Sequence, residues 1–288
     1  MYVSVNDVQL FFDVESAGLV PDGLQMRARP TLIVLQGGPG FDHGFFGPDH
    51  SPIADSAQVI YLDHRGNGRS SPDTTQHWTL DQWADDLAAF LDVLEIEHPV
   101  ILGMSFGGFV AMNFATRYPQ RLSKLVLTST SARLRPERSL AVFERLGGAQ
   151  ARDAAEAMFN GVNEETASEF FRHCLPLYSL AALDPDRFAR VRSPPELFRH
   201  LLEGILPQMD SLPALAKITC ATLVMCGEND PITPIGDSAD IADALGKNLA
   251  GFIRVAGARH FLRFDAPDVY FGHLRAFIES DADKHKRD

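Results

Sequence analysis

Three residues far apart in the chain, Ser105, Asp230 and His260, are of the types that together perform nucleophilic chemistry. Ser105 lies in "GMSFGG" (103–108), between an apolar run that reads as a strand, "PVILGM" (99–104), and one that reads as a helix, "FGGFVAMNFATRY", stopped by Pro119. A Gly-x-Ser-x-Gly in that setting is a nucleophile elbow: the turn is too tight for side chains at Gly103 and Gly107, and it lifts the hydroxyl above the sheet. The following helix aims its first N–H groups and its positive dipole end at the same point, which favours a developing anion. Without its neighbours the pattern fits a plain small-residue turn equally well; strand before and helix after favour chemistry.

A serine hydroxyl is a poor nucleophile at neutral pH, so it needs a base, and the base needs an orienting carboxylate. Asp230, in "LVMCGENDPITP", and His260, in "FIRVAGARHF", each follow a strand-like run late in the chain. The order Ser, Asp, His is that of nucleophile-elbow enzymes, and all three lie past the carboxyl ends of strands, where open α/β sheets gather their sites. There are ten histidines, and a loop histidine is usually a solvated one, so position decides. His64, in "DHRGNGRS", reads as structural, in a polar turn with Asp63 and Arg65. His43, on the loop after a glycine cluster, reads as a substrate contact. Neither follows the final strand. Glu228 is the rival acid; the "NDP" turn favours Asp230.

Serine acyl transfer also needs two backbone N–H donors around the oxyanion, worth roughly 3 kcal/mol each. One is the N–H of Phe106, next after the nucleophile. The other must come from a loop whose bare backbone lies against the substrate, and "LQGGPG" (35–40) has that composition. Gly38 is the expected donor, with Gly37 and Gly40 leaving room and Pro39 stiffening the loop.

The elements that position these residues follow from periodicity. "VSVNDVQLFFDVE" (3–15) reads as a hairpin turning at Asn6-Asp7. "TLIVLQ" (31–36), "AQVIYLD" (57–63) and "KLVLTST" (124–130) are short apolar runs suited to strands covered on both faces. Thr79 and Gln82 form a capping-box pattern ahead of Leu80, Trp83, Leu87, Phe90, Leu91 and Leu94, which share one helix face. From 131 to 212 the chain is rich in helix formers, broken by "DPDRF" and "SPPELF", with no good strand. The strand pattern then resumes with "CATLVMCG" (220–227), a helix after Pro234, "GFIRV" (251–255) and a helix after Pro267. One mostly parallel eight-stranded sheet with helices on both faces follows, carrying an α-helical cap inserted after the sixth strand. The expected division is a core of residues 1–130 and 213–281, a cap of 131–212 and a frayed tail of 282–288.

With four separated motifs in this order, the chain resembles the α/β-hydrolase superfamily over essentially its whole length. Within it, "GGPG" followed by "YLDHRGNGRS" is similar to the proline iminopeptidases and their relatives, serine peptidases that remove N-terminal residues from small peptides and amides. That group usually has His where this chain has Gln36, Gln where it has His64, and Gly-Gly-Ser-Trp-Gly where it has "GMSFGG". The peptidases also carry a Trp-Glu motif in the insertion to hold the substrate amine, and here the insertion has no tryptophan. The carboxylates able to replace it are Glu196 and Glu203, seven apart in "PPELFRHLLEG" and able to share a helix face, although pairing with Arg192 or Arg199 in solvent is the simpler reading for each. "GMSFGG" resembles equally the carboxylesterases, lactonases and carbon–carbon bond hydrolases. Serine at the nucleophile position departs from the dehalogenases and epoxide hydrolases, which use Asp.

The expected activity is therefore hydrolysis of a small ester or amide through an acyl-enzyme, esterase- or lactonase-like, with an iminopeptidase-like amidase as the alternative. A carbon–carbon hydrolase and a non-catalytic binding module on the same fold are lesser alternatives. Composition limits the partners. A formal charge of -12 argues against nucleic acid and anionic membranes, which reward basic surfaces. Three cysteines without metal or redox spacing argue against a disulfide framework. No H-E-x-x-H or similar pattern calls for a metal, and no cofactor is expected. The first residues lack the features of a signal peptide. A cytoplasmic protein with a small-molecule substrate is expected; whether it forms a homo-oligomer stays open.

Overall fold

The computed structural model describes residues 1–45, 49–192 and 194–280; the expected tail lies outside the described residues. The main sheet has eight strands: β1 (Tyr2–Val5), β2 (Val8–Glu15), β5 (Thr31–Leu35), β6 (Gln58–Leu62), β7 (Val100–Met104), β8 (Lys124–Thr128), β9 (Ala221–Gly227) and β10 (Leu249–Val255). Their spatial order is β1-β2-β6-β5-β7-β8-β9-β10, antiparallel through the first three and parallel from β6 onward. Two further strands, β3 (Leu19–Asp22) and β4 (Gln25–Ala28), form a separate hairpin.

The uninterrupted apolar runs are explained by cover on both faces. Along β5, Ile33 and Leu35 pack with α1 (Leu80–Val93) and α2 (Phe106–Arg117) on one side. Leu32 and Val34 pack on the other with the C-terminal helix (Pro267–Glu279), whose Leu274 and Phe277 are buried. All four strand residues are completely buried. Helix α1 begins as expected, with Thr79 Oγ1 accepting from the Gln82 N–H at 3.0 Å. The capping box is only half formed, because the Gln82 amide donates to Asp86, 3.0 Å away, instead of turning back. Asp86 is a buried anion that also receives Arg65, a stronger acceptor for that amide.

Strand order reverses at β5, which lies between β6 and β7. A crevice opens at such a point beyond the carboxyl ends of the strands. Leu35 pairs across from Gly103, so the glycine loop leaving β5 runs beside the turn leaving β7. Gly227 likewise pairs with Val255, which brings the loops after β9 and β10 together.

Between β8 and β9 the chain forms helices α3 (Pro136–Asn160), α4 (Glu164–His173), α5 (Pro185–Arg190) and α6 (Pro195–Arg199), joined by tighter turns. Helix α3 breaks at Gly148, whose φ of 72° lies in the left-handed region that glycine enters freely. The two ends of this insertion are stitched together: Arg133 bridges Asp210, and the Ser211 N–H donates to the Ala132 carbonyl at 2.8 Å. Its own apolar centre is built on Phe143, Ala155, Met158 and Phe170.

Candidate active site

Ser105 sits between β7 and α2 at φ 51°, ψ −118°. Its N–H donates to the Thr128 carbonyl at 3.1 Å, and its own carbonyl accepts from the Gly108 N–H at 2.9 Å and from Thr130 Oγ1 at 2.8 Å. The flanking glycines are steric necessities. A Cβ on Gly107 would stand 2.0 Å from the Leu35 carbonyl oxygen, and one on Gly103 2.6 Å from the Gly107 carbonyl oxygen. The Ser105 hydroxyl makes no hydrogen bond within the described residues.

Asp230, completely buried, follows β9, and His260, 3% exposed, follows β10. His260 Nδ1 donates to Asp230 Oδ2 across 2.8 Å. The carboxylate is held on its other sides by the Thr233 hydroxyl at 2.8 Å and the N–H groups of Ile232 and Thr233 at 2.9 and 3.0 Å. With Nδ1 committed as donor, Nε2 is the basic nitrogen left to the imidazole. The two loops touch along their length: Glu228 and Asn229 donate backbone N–H groups to Val255 and Ala258. A Cβ on Gly227 would meet the Ala258 and Arg259 carbonyls at 2.4 Å. Glu228, the rival acid, is exposed.

The glycine loop lies against the nucleophile turn, since a Cβ on Gly37 would stand 3.3 Å from Ser105 Cβ. Gly38 adopts a φ of 148°. Neither the Gly38 nor the Phe106 N–H has an intramolecular acceptor within the described residues, and both residues line the same cavity as Ser105 and His260.

That cavity, about 1060 Å³ including its open mouth, lies between sheet and insertion. Phe41, Phe45, Phe106, Phe109 and Phe261 line its floor, and Met158, Phe159, Phe170, Phe171, Tyr178 and Phe198 are among those that roof it. Among the described residues none that lines it is Asp, Glu, Lys or Arg.

His43, expected to touch substrate, is not brought to the cavity. Its Nδ1 and Nε2 lie 2.8 and 3.0 Å from Asp63 and Asp13, and its N–H also donates to Asp63. Burial opposes a charged ring, but the two carboxylates prevail and raise its pKa above the usual value. The pair draws the side chain toward β2 and β6 and anchors the end of the glycine loop. Glu196 and Glu203 are exposed and away from the cavity; Glu203 accepts the Val162 N–H at 2.9 Å. His64 is buried edge-on to Phe106, with ring centroids 5.8 Å apart, and burial lowers its pKa to about 4 despite Asp63 and Asp86 nearby. Beside it Arg65 gathers Asp86, Asp73 and Asp7, which suits the structural reading of that turn. Tyr178, which no motif marks, sets its ring edge-on to His260 at 5.1 Å.

The chain matches the α/β hydrolase fold family over residues 30–267 and belongs to it. Proline iminopeptidase PfmaB of Pestalotiopsis fici is 29% identical over 286 residues, spanning 93% of this chain and 99% of that protein. The 3-oxoadipate enol-lactonase 1 of Acinetobacter baylyi is 26% identical over 254 residues, 86% of this chain and 88% of the relative. Among solved structures, the proline iminopeptidase of Mycobacterium smegmatis superposes with a TM-score of 0.75 at 22% identity, covering 96% of this chain and 97% of that one. These relatives are hydrolases, and hydrolase activity is the class they support for this chain. No helix among the described residues is long and apolar enough to cross a membrane.

Proposed function

We propose that the protein is a serine hydrolase acting on a small, uncharged, largely apolar ester through an acyl-enzyme. In this reading Ser105 Oγ attacks the ester carbonyl while His260 Nε2 takes its proton. The oxyanion that forms accepts hydrogen bonds from the Gly38 and Phe106 N–H groups, and Asp230 steadies the charged imidazole. Collapse of the adduct expels the alcohol, which receives the proton from His260. Water, deprotonated by the same nitrogen, then releases the acid and restores Ser105.

The observation that carries the substrate class is the wall of the cavity, which among the described residues holds no Asp, Glu, Lys or Arg. An ammonium or carboxylate taken out of water costs several kcal/mol unless an opposite charge meets it. An aminopeptidase must hold a charged α-amine, and Glu196 and Glu203 face solvent. The iminopeptidase-like reading keeps one argument of its own, the relatives that bear that name. The test compares kcat/KM for a phenyl ester, a prolyl anilide and its N-acetylated form. Faster turnover of the ester is expected. Turnover of the free amine alone, abolished by acetylation, would return the protein to the aminopeptidases.

A further inference from the structure

Tyr178, on the turn that follows α4, is the one phenol on the described wall of the cavity. Its ring meets His260 edge-on, at an interplanar angle of 68°. The loop that carries His260 also holds it in place. The Phe261 N–H donates to the Tyr178 carbonyl at 3.0 Å, and Arg259 Nη1 donates to the Ser179 carbonyl at 3.0 Å. Asp265 accepts from Ser179 Oγ at 2.6 Å, the Leu180 N–H at 2.8 Å and the Arg259 N–H at 2.7 Å. These bonds clamp residues 178–180 to residues 259–265. The phenol is therefore held against the imidazole by these local contacts, with Phe143 of α3 and Phe170 of α4 packed on its ring.

Tyr178 is half-buried, and its hydroxyl makes no hydrogen bond within the described residues, which leaves it able to donate to a ligand. Burial pushes its pKa well above 10, so the group is a donor at any working pH. In the reaction proposed above, His260 must hand its proton to the departing alcohol, so groups beside the imidazole face the leaving-group half of a bound ester. A wall without Asp, Glu, Lys or Arg among the described residues suits a neutral oxygen as the acceptor of such a donor.

We infer that Tyr178 is a specificity-determining residue whose O–H donates to a neutral carbonyl, ether or hydroxyl oxygen on the leaving-group half of the substrate. A site that donates to such an oxygen favours the ester that carries it over the analogue that does not, by the net worth of one hydrogen bond. The inference rests on the serine-hydrolase reading and narrows it from apolar esters to esters with one oxygen acceptor in the alcohol.

Tyr178→Phe keeps the ring and its contact with His260 and removes only the O–H. The test measures kcat/KM in both proteins for n-butyl butyrate and for 2-methoxyethyl and 2-oxopropyl butyrates, which add one oxygen at similar chain length. The variant should lose about five- to tenfold on at least one oxygenated ester and less than about twofold on the butyl ester. Equal losses on all three, or none on any, would overturn the inference. Labelling of Ser105 by a fluorophosphonate keeps the two failures apart: an unlabelled wild type refutes the hydrolase reading, and the inference with it.

Discussion

Ser105 stands at a positive φ that a side chain adopts only where its surroundings hold it, at a cost of about 1–3 kcal/mol. Bonds to Thr128, Thr130 and Gly108 hold it there, and the result is a hydroxyl that projects into the cavity. In the proposed mechanism Ser105, His260 and Asp230 act as one unit, so their losses should not add. Ser105→Ala and His260→Ala should each fold normally, by circular dichroism, and lose several orders of magnitude in kcat on a chromogenic ester. Asp230→Asn should lose somewhat less, roughly 10⁴-fold. At the surface, Glu203→Gln should leave ester KM within about twofold, since a solvent-facing change of this kind is usually worth under ~0.5 kcal/mol. A tenfold rise in KM would place that carboxylate in substrate binding after all.

Among the elements, the contact of β5 with α2 matters most, because it sets the glycine loop beside the serine. Gly107 lies so near the Leu35 carbonyl that no side chain fits. Gly38→Val should cut kcat far more than it raises KM, since an oxyanion donor acts mainly in the transition state. A change confined to KM would make the loop a substrate wall. The strands of the parallel sheet were readable because cover on both faces leaves an unbroken apolar run, and their ends mark the loops after β7, β9 and β10 that carry Ser105, Asp230 and His260. The β3–β4 hairpin was not readable: its side chains are mostly exposed, so burial imposes no alternation. The contacts of His43 were hidden for a different reason. Its partners Asp13 and Asp63 come from β2 and the end of β6, and only the folded sheet unites them. Tyr178 was hidden likewise, since Asp265, which helps to clamp it, lies 86 residues from Ser179.

At the scale of the whole molecule, buried titratable groups tie stability to pH. Burial depresses the His64 pKa to about 4, so between pH 6.5 and about 4 the unfolded chain binds a proton there that the folded one does not. Stability is therefore lost as pH falls through that window, by at most about 1.4 kcal/mol per pH unit. His43, raised by Asp63 and Asp13 against the effect of burial, works in the opposite sense: its contribution is present below pH 6.5 and is lost as pH rises through its folded value. A difference measurement isolates one of them. In urea unfolding, the wild type should lose stability relative to His64→Gln as pH falls from 6.5 toward 4; parallel profiles would show that His64 is charged in the fold.

The central claim is that turnover passes through an acyl group on Ser105, inside a cavity whose described lining holds no Asp, Glu, Lys or Arg. Rapid quenching during turnover of 4-nitrophenyl butyrate, followed by intact-mass and peptide-mass spectrometry, reads that intermediate directly. The account predicts one butyryl group per chain on the peptide bearing Ser105, formed together with an equal burst of nitrophenol and absent from Ser105→Ala. A butyryl group on another residue, or Ser105→Ala turning over the ester near the wild-type rate, would contradict it.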